Sequence, residues 1–441
     1  MKHIYTTLYC ALAILLSVVI QPADAQQEWT QFLGKAGDGE TQSTPPIRWD
    51  ANNYRWQTKL PGTGWSSPVY SGNHVWVTAA VTEPATAEQI AKKREGVQFA
   101  KTKTVVGSVV LRAICVDLES GSVVHNVELA SVDNPELINP LNSYASPTPA
   151  IFQDKVVCHF GAYGTWCLDA KEGKTLWKTQ YVVDHSVGPG SSPVIFGDKV
   201  ILVCDGIDKQ YVAAVALSDG QEVWKTARPK MKTDNGEYQK AYSTPLVVTV
   251  AEKKQLVIPG AQWIVAYEPE TGKEIWRVDH GSGFSVTPMA SFEDGLVIFS
   301  TGFMRPEVVA VDPAGKGDVT KTHVKWRVRN GPNMPSMLTK GGKAYFLSDR
   351  GILHCANSKT GEILNRVRLK GNYSASLLMA GNHIYASSRE GKVFVVKADE
   401  TLELVATNSF EGKILATPAP VGDDLIFRVD DKLYRIGKTA G

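Results

Sequence analysis

The sequence predicts an all-β protein, an eight-bladed β-propeller of four-stranded antiparallel blades. Three observations carry this expectation. A short phrase, cleanest at residues 266–277 (Ala-Tyr-Glu-Pro-Glu-Thr-Gly-Lys-Glu-Ile-Trp-Arg), recurs along nearly the whole chain. Its turn glycines, Gly121, Gly173, Gly220, Gly272 and Gly361, fall about 50 residues apart with one double interval, and repeats of that length built from short strands mark propeller blades. Between the phrases lie alternating apolar runs broken by Gly-Asp and Asp-Gly, residues that make tight hairpins.

Taken in order, the chain of 441 residues begins with a stretch that reads as a secretory signal. Lys2 is its positive start, residues 8–20 are mostly apolar, and Ala23-Asp24-Ala25 fits a cleavage site after residue 25. The apolar run is shorter than the about 20 residues a membrane span needs. The expectation is an exported protein, periplasmic or extracellular, with no transmembrane segment in the mature chain. Residues 26–53 show little periodicity and are expected to run over the outside of the ring as an N-terminal extension. Residues 54–441 are expected to be a single propeller domain.

A typical repeat reads as strands at 191–196, 200–204, 211–217 and 222–226. First strands begin near Ser66, Ser146, Ser191, Ser243, Ser285, Ser336, Ser374 and Ala416, which gives eight blades. Seven is the alternative if a weak copy is no true blade. The last repeat supplies only three strands before the chain stops. Residues 54–59 look like a fourth strand with no blade before it. Pairing the two would close the ring and remove open sheet edges. The largest interruption, 82–107, falls between the second and third strands of the first blade. Its portion 85–103 is rich in Ala, Glu, Gln and Lys and reads as a helix.

A tryptophan recurs in fourth strands, at Trp56, Trp177, Trp224, Trp276 and Trp326. His125, Asn365 and Leu404 occupy the region in the other three. A residue that recurs once per repeat builds the repeat, so these are expected to wedge blade against blade. Five cysteines follow the signal, with no Cys-x-x-Cys pair. Cys115, Cys167 and Cys355 take matching places near strand ends and read as small buried hydrophobes. The alternative is one disulfide between neighbouring repeats, such as Cys158 with Cys204, with the pairing left open.

The phrase Ala-x-(Asp/Glu)-x-x-x-Gly-x-x-x-Trp resembles the repeat of pyrroloquinoline-quinone-type propellers, and residues 54–437 carry it. One branch of that family comprises quinoprotein alcohol dehydrogenases, which the resemblance would give pyrroloquinoline quinone and calcium on the propeller axis. Those enzymes typically use adjacent cysteines against the quinone, and this chain has none. The other branch is non-catalytic and includes the lipoprotein of the outer-membrane β-barrel assembly machinery. This chain lacks the lipid-attachment cysteine, since Cys10 lies inside the apolar run and not after it. The expectation is closer to the non-catalytic branch, with no cofactor; pyrroloquinoline quinone with calcium is the alternative.

In a propeller the loops leading into first strands share a face with the loops joining second and third strands. That face surrounds the channel mouth. Trp65, Tyr144, Tyr242, Phe284 and Tyr373 sit in lead-in positions, either packed between first strands or forming a funnel for a flat ligand, a sugar or a peptide. Arg305, Arg350 and Arg389 fall in second-to-third-strand loops of consecutive blades and would favour an anion. His185 and Gln262 belong to the same rim. No phosphate loop, His-Glu-x-x-His or Gly-x-Ser-x-Gly is present, so no catalytic residue and no metal site are assigned. A net charge of +2 gives no basic footprint for nucleic acid. The functional expectation is a monomeric binding or scaffold module for a protein, peptide or cell-envelope partner. The alternatives are a quinone-dependent dehydrogenase of alcohols or sugars, and a carbohydrate-binding propeller.

Overall fold

Eight antiparallel sheets follow one another along the chain, each with four ring-building strands. The computed structural model describes residues 28–438, so the expected signal segment and Cys10 lie outside the described residues. Blades 1 to 8 span 69–133, 150–179, 194–227, 246–279, 291–329, 338–368, 378–409 and 419–436. The last takes its fourth strand from the other end of the chain. Tyr54–Lys59 pairs antiparallel with Lys432–Ile436, so the two ends of the propeller meet in one sheet and the ring is closed.

The recurring phrase builds the joint between neighbouring blades. In all eight blades one extra residue bulges from the fourth strand just before the tryptophan position. A bulge breaks the two-residue alternation. The bulged residue can then face solvent, as Leu176 (48% exposed) and Val223 (47%) do, while the next side chain turns inward. Trp56, Trp177, Trp224 and Trp326 lie on the turn glycine of the following blade. A Cβ at Gly272 would sit 2.4 Å from the Trp224 ring, so only glycine admits this contact. Each indole N–H donates to a carbonyl of that same turn: Leu118, Leu217, Pro269 and Ser358, at 2.8–3.1 Å.

Trp276 follows a variant of this plan, because the next turn, at Pro313, is altered. Its N–H donates to Gln255 Oε1 at 2.8 Å, and Gln255 Nε2 donates onward to the Pro313 carbonyl at 3.1 Å. His125 and Asn365 take the tryptophan place in blades 1 and 6, bonding to Lys171 and to Glu400 and Thr401 carbonyls. In blade 7 the place belongs to Ala406, not Leu404. The bulge at Val405 shifts the register there and leaves Leu404 50% exposed.

The N-terminal extension takes a defined path over the ring. It crosses the face opposite the mouth, against the hairpins that join first and second strands. Trp29 bridges to Tyr70 of blade 1, and Thr30 accepts from Ile151 of blade 2. Leu33 packs with Leu246 and Met289 of blades 4 and 5. Glu40–Thr41 adds a parallel strand to Leu378–Ala380 of blade 7, and Trp49 packs on Phe427 of blade 8. Burial of these apolar side chains holds an otherwise aperiodic segment in place.

The insertion is mainly a lengthened hairpin. His74–Pro84 and Val106–Asp117 stay paired far beyond the ring, and the helix is confined to Ala87–Arg94. Thr86 caps it in a capping box with Gln89. All five cysteines among the described residues are buried and free, so the Cys158–Cys204 disulfide is not formed. Burial pushes the Cys204 thiol up to about 12 and Cys158 higher still, which leaves them inert.

Candidate functional site

The channel through the ring is a cup of about 650 Å³, open on the loop face. Its far end meets the crossing extension, whose Phe32 lines the cavity. The wall is a belt of hydroxyls two residues before each first strand. The Ser67 N–H donates to Thr148 Oγ1 (2.9 Å), Thr148 to Ser192 Oγ (2.9 Å) and Ser192 to Thr244 Oγ1 (3.0 Å). Met289 interrupts the belt because it has no hydroxyl. The belt resumes from the Met289 N–H to Ser336 (3.0 Å), then to Ser376 (2.9 Å) and Thr417 (2.9 Å). Each bond ties one blade to the next and satisfies an amide that no sheet partner reaches. The sequence carries its signal in Ser67-Pro68, Thr148-Pro149, Ser192-Pro193, Thr244-Pro245 and Thr417-Pro418, where a short hydroxyl residue precedes proline.

The expected mouth residues divide into two groups. Trp65, Tyr242, Phe284, Arg350 and Arg389 line the cup together. The others do not reach its lining. Tyr144 and Tyr373 are fully buried, and their hydroxyls donate to the carbonyls of Glu136 (2.6 Å) and Lys370 (3.2 Å). His185 is buried and accepts from the Ala162 N–H, while burial holds its pKa down to about 4. Gln262 is consumed by backbone contacts, accepting from Lys232 N–H and donating to the Tyr238 carbonyl. Arg305 is exposed outside the lining. The arginine arc therefore reduces to Arg350, which is exposed, and Arg389. The latter is pinned by Ser374 Oγ (2.7 Å) and the Tyr373 carbonyl (2.9 Å).

Two features had no counterpart in the sequence reading. An apolar rim crowns the mouth: Phe99 (64% exposed), Met304 (63%), Phe303 (51%), Tyr238 (39%) and Leu141 (38%). Phe99 comes from the insertion, Leu141 and Tyr238 from two connections between blades, and Phe303 and Met304 from one loop of blade 5, so no local pattern announces them. The second is a polar knot on one wall. Lys103 and Lys240 both donate to Ser186 Oγ, at 2.9 and 3.2 Å, and the Ser186 hydroxyl donates to Glu237 Oε1 at 2.7 Å. Lys240 also pairs with Glu237. Burial raises the Glu237 pKa, but bonds from Lys240 and Ser186 outweigh it, so the carboxyl lies below its ordinary value.

The cup offers few free oxygen donors for a calcium-bound quinone, the buried Asn333 Oδ1 among them. Among the described residues no three His, Cys, Asp or Glu side chains gather to hold a metal ion. The cup's carboxylates are Glu237, held by the two lysines, and Asp349, which accepts from Asn333 and from the Met334 N–H. No helix among the described residues is long and apolar enough to cross a membrane.

Comparison with known proteins agrees with this architecture. The quinoprotein ethanol dehydrogenase of Pseudomonas aeruginosa is 28% identical over 169 residues, 33% of this chain and 26% of that protein. The match thus spans about a quarter of the dehydrogenase's own length. Among solved structures, the quinohemoprotein alcohol dehydrogenase of Comamonas testosteroni superposes with a TM-score of 0.62 at 13% identity, covering 95% of this chain and 82% of that one. BamB from Moraxella catarrhalis superposes at 0.54 and 15% identity, over 76% of this chain and all of that one. The family profile described as outer membrane protein assembly factor BamB matches residues 71–258 and 260–415. With its repeats, ring and profile in agreement over most of its length, the chain belongs to this family of pyrroloquinoline-quinone-like propellers.

Proposed function

We propose that the protein is a non-catalytic docking module of the cell envelope, exported and then engaged by a protein partner at the mouth of the cup. The apolar rim carries this reading. Five exposed apolar side chains converge on one face of a rigid ring, the usual sign of a surface that expects cover. The family's description as an outer membrane assembly factor supports a partner in that process. Side chains on four separate loops can grip an irregular partner surface, while the belt and wedges keep the loops in register.

The test is binding of a purified outer-membrane β-barrel assembly component, followed by interferometry. Phe99→Ser and Met304→Ser should each weaken binding, whereas Leu404→Ser on the outer edge of blade 7 should not. Equal binding by all variants would overturn the reading. The likeness to quinoprotein dehydrogenases gives a second arm. Dye-linked alcohol oxidation after reconstitution with pyrroloquinoline quinone and calcium would replace docking with catalysis.

A further inference from the structure

We infer that Lys103 and Lys240 form a seat for an oxyanion, the carboxylate or phosphate group of a ligand that enters the cup. This rests on the cup being the binding surface proposed above. Both lysines line the cavity, yet their side chains are only 6% and 5% exposed. Two buried ammoniums face one carboxylate. Glu237 contacts Lys240 directly and Lys103 at 3.7 Å. Asp184, the next acid, is exposed and accepts from the Ser186 N–H at 2.7 Å. A buried charge without a counter-charge is costly, so an excess ammonium at a cavity wall favours a ligand of opposite sign.

The donor count points the same way. Each ammonium carries three N–H groups. Lys103 uses one on Ser186, and Lys240 uses one on Ser186 and one on Glu237. Each therefore keeps at least one donor with no hydrogen-bond acceptor among the described residues. An oxyanion with two oxygens can take one donor from each lysine, a charge-assisted arrangement. Burial, reinforced by the charge of Lys103, holds Lys240 below its ordinary pKa despite Glu237, consistent with positive charge in excess. Lys103 belongs to the insertion, so an occupant of the seat would also fasten that arm to the wall of blades 3 and 4.

Calorimetric titration of the full mature chain with inorganic phosphate and, separately, with acetate tests the seat at low ionic strength. Saturable binding of one anion is expected, and the arm that binds identifies the group. Lys103→Gln and Lys240→Gln should each weaken it about tenfold or more. Glu237→Gln removes the competing carboxylate and should tighten binding, an effect that a merely structural role would not produce. Absence of saturable binding for both anions, or binding indifferent to all three variants, would overturn the inference. Small anions need no protein partner, so failure here leaves docking at the rim standing. Failure of the rim variants likewise leaves the seat.

Discussion

Replacing Trp276 separates the two parts of the joint between blades. The ring is fully buried, and its N–H donates to Gln255, which relays to the next blade. A tryptophan buries about 150–250 Å², worth roughly 4–6 kcal/mol at about 25 cal/mol per Å² as an upper bound. Trp276→Ala should therefore cost about 3–5 kcal/mol. Trp276→Phe keeps most of the apolar contact but orphans Gln255 Oε1, and should cost about 1–3 kcal/mol. Urea unfolding followed by circular dichroism reads both values. An alanine variant with an unchanged midpoint would refute the wedge. A phenylalanine variant as damaged as alanine would refute the division between burial and the hydrogen-bond relay. Asn365→Ala at the equivalent place in blade 6 should cost only about 1 kcal/mol, because a half-buried amide is lost and no ring.

Other outcomes follow from the same contacts. Gly272→Ala places a Cβ 2.4 Å from Trp224 at a φ of +70°, so its midpoint should fall by more than that of Gly197→Ala, where the φ is +59° but no atom lies nearby. Leu33→Ala should cost about 2–5 kcal/mol in the same assay, since that side chain seats the extension against blades 4 and 5. Burial holds His159, His185 and His280 down to about 3, 4 and 4, so all three are neutral in the fold at pH 7. The unfolded chain binds their protons first, and stability should fall as pH drops from about 6.5 toward 4. His280→Gln should flatten that slope in melting curves taken across the range.

The repeat made the ring legible because blade geometry is local. Hairpin turns, alternation and a returning tryptophan all lie within a few residues of one another, and the missing fourth strand could be matched to residues 54–59 by subtraction. The bulge left no such mark, since Leu176 and Val223 look like ordinary strand residues until pairing is known. The path of the extension was hidden for a different reason. Its buried residues Trp29, Leu33 and Trp49 each pack on a different part of the ring, so they share no period. At the cup, position relative to a strand was enough to find Trp65, Tyr242, Phe284, Arg350 and Arg389. It could not show that Tyr144, Tyr373, His185 and Gln262 turn away into packing and backbone contacts. Lys103, Lys240 and Glu237 meet only through folding of the insertion against blades 3 and 4, and nothing in their separate neighbourhoods announces it.

The segment that crosses the far face also orders events in time. It is made before the blades, but Arg48 bonds to the Val405 carbonyl, Trp49 to Asn408 and Thr44 to Asp423, across sequence separations of 357 to 379 residues. Strand 54–59 waits likewise for Lys432–Ile436. Early blades can form as the chain emerges, yet neither the floor nor the closing sheet can be completed until the last residues arrive. Such distant contacts are slow to form, because the intervening loop entropy must be lost before they contribute. Closure of this ring is therefore a late step, and until it happens the open sheet edges of blade 8 invite misassembly.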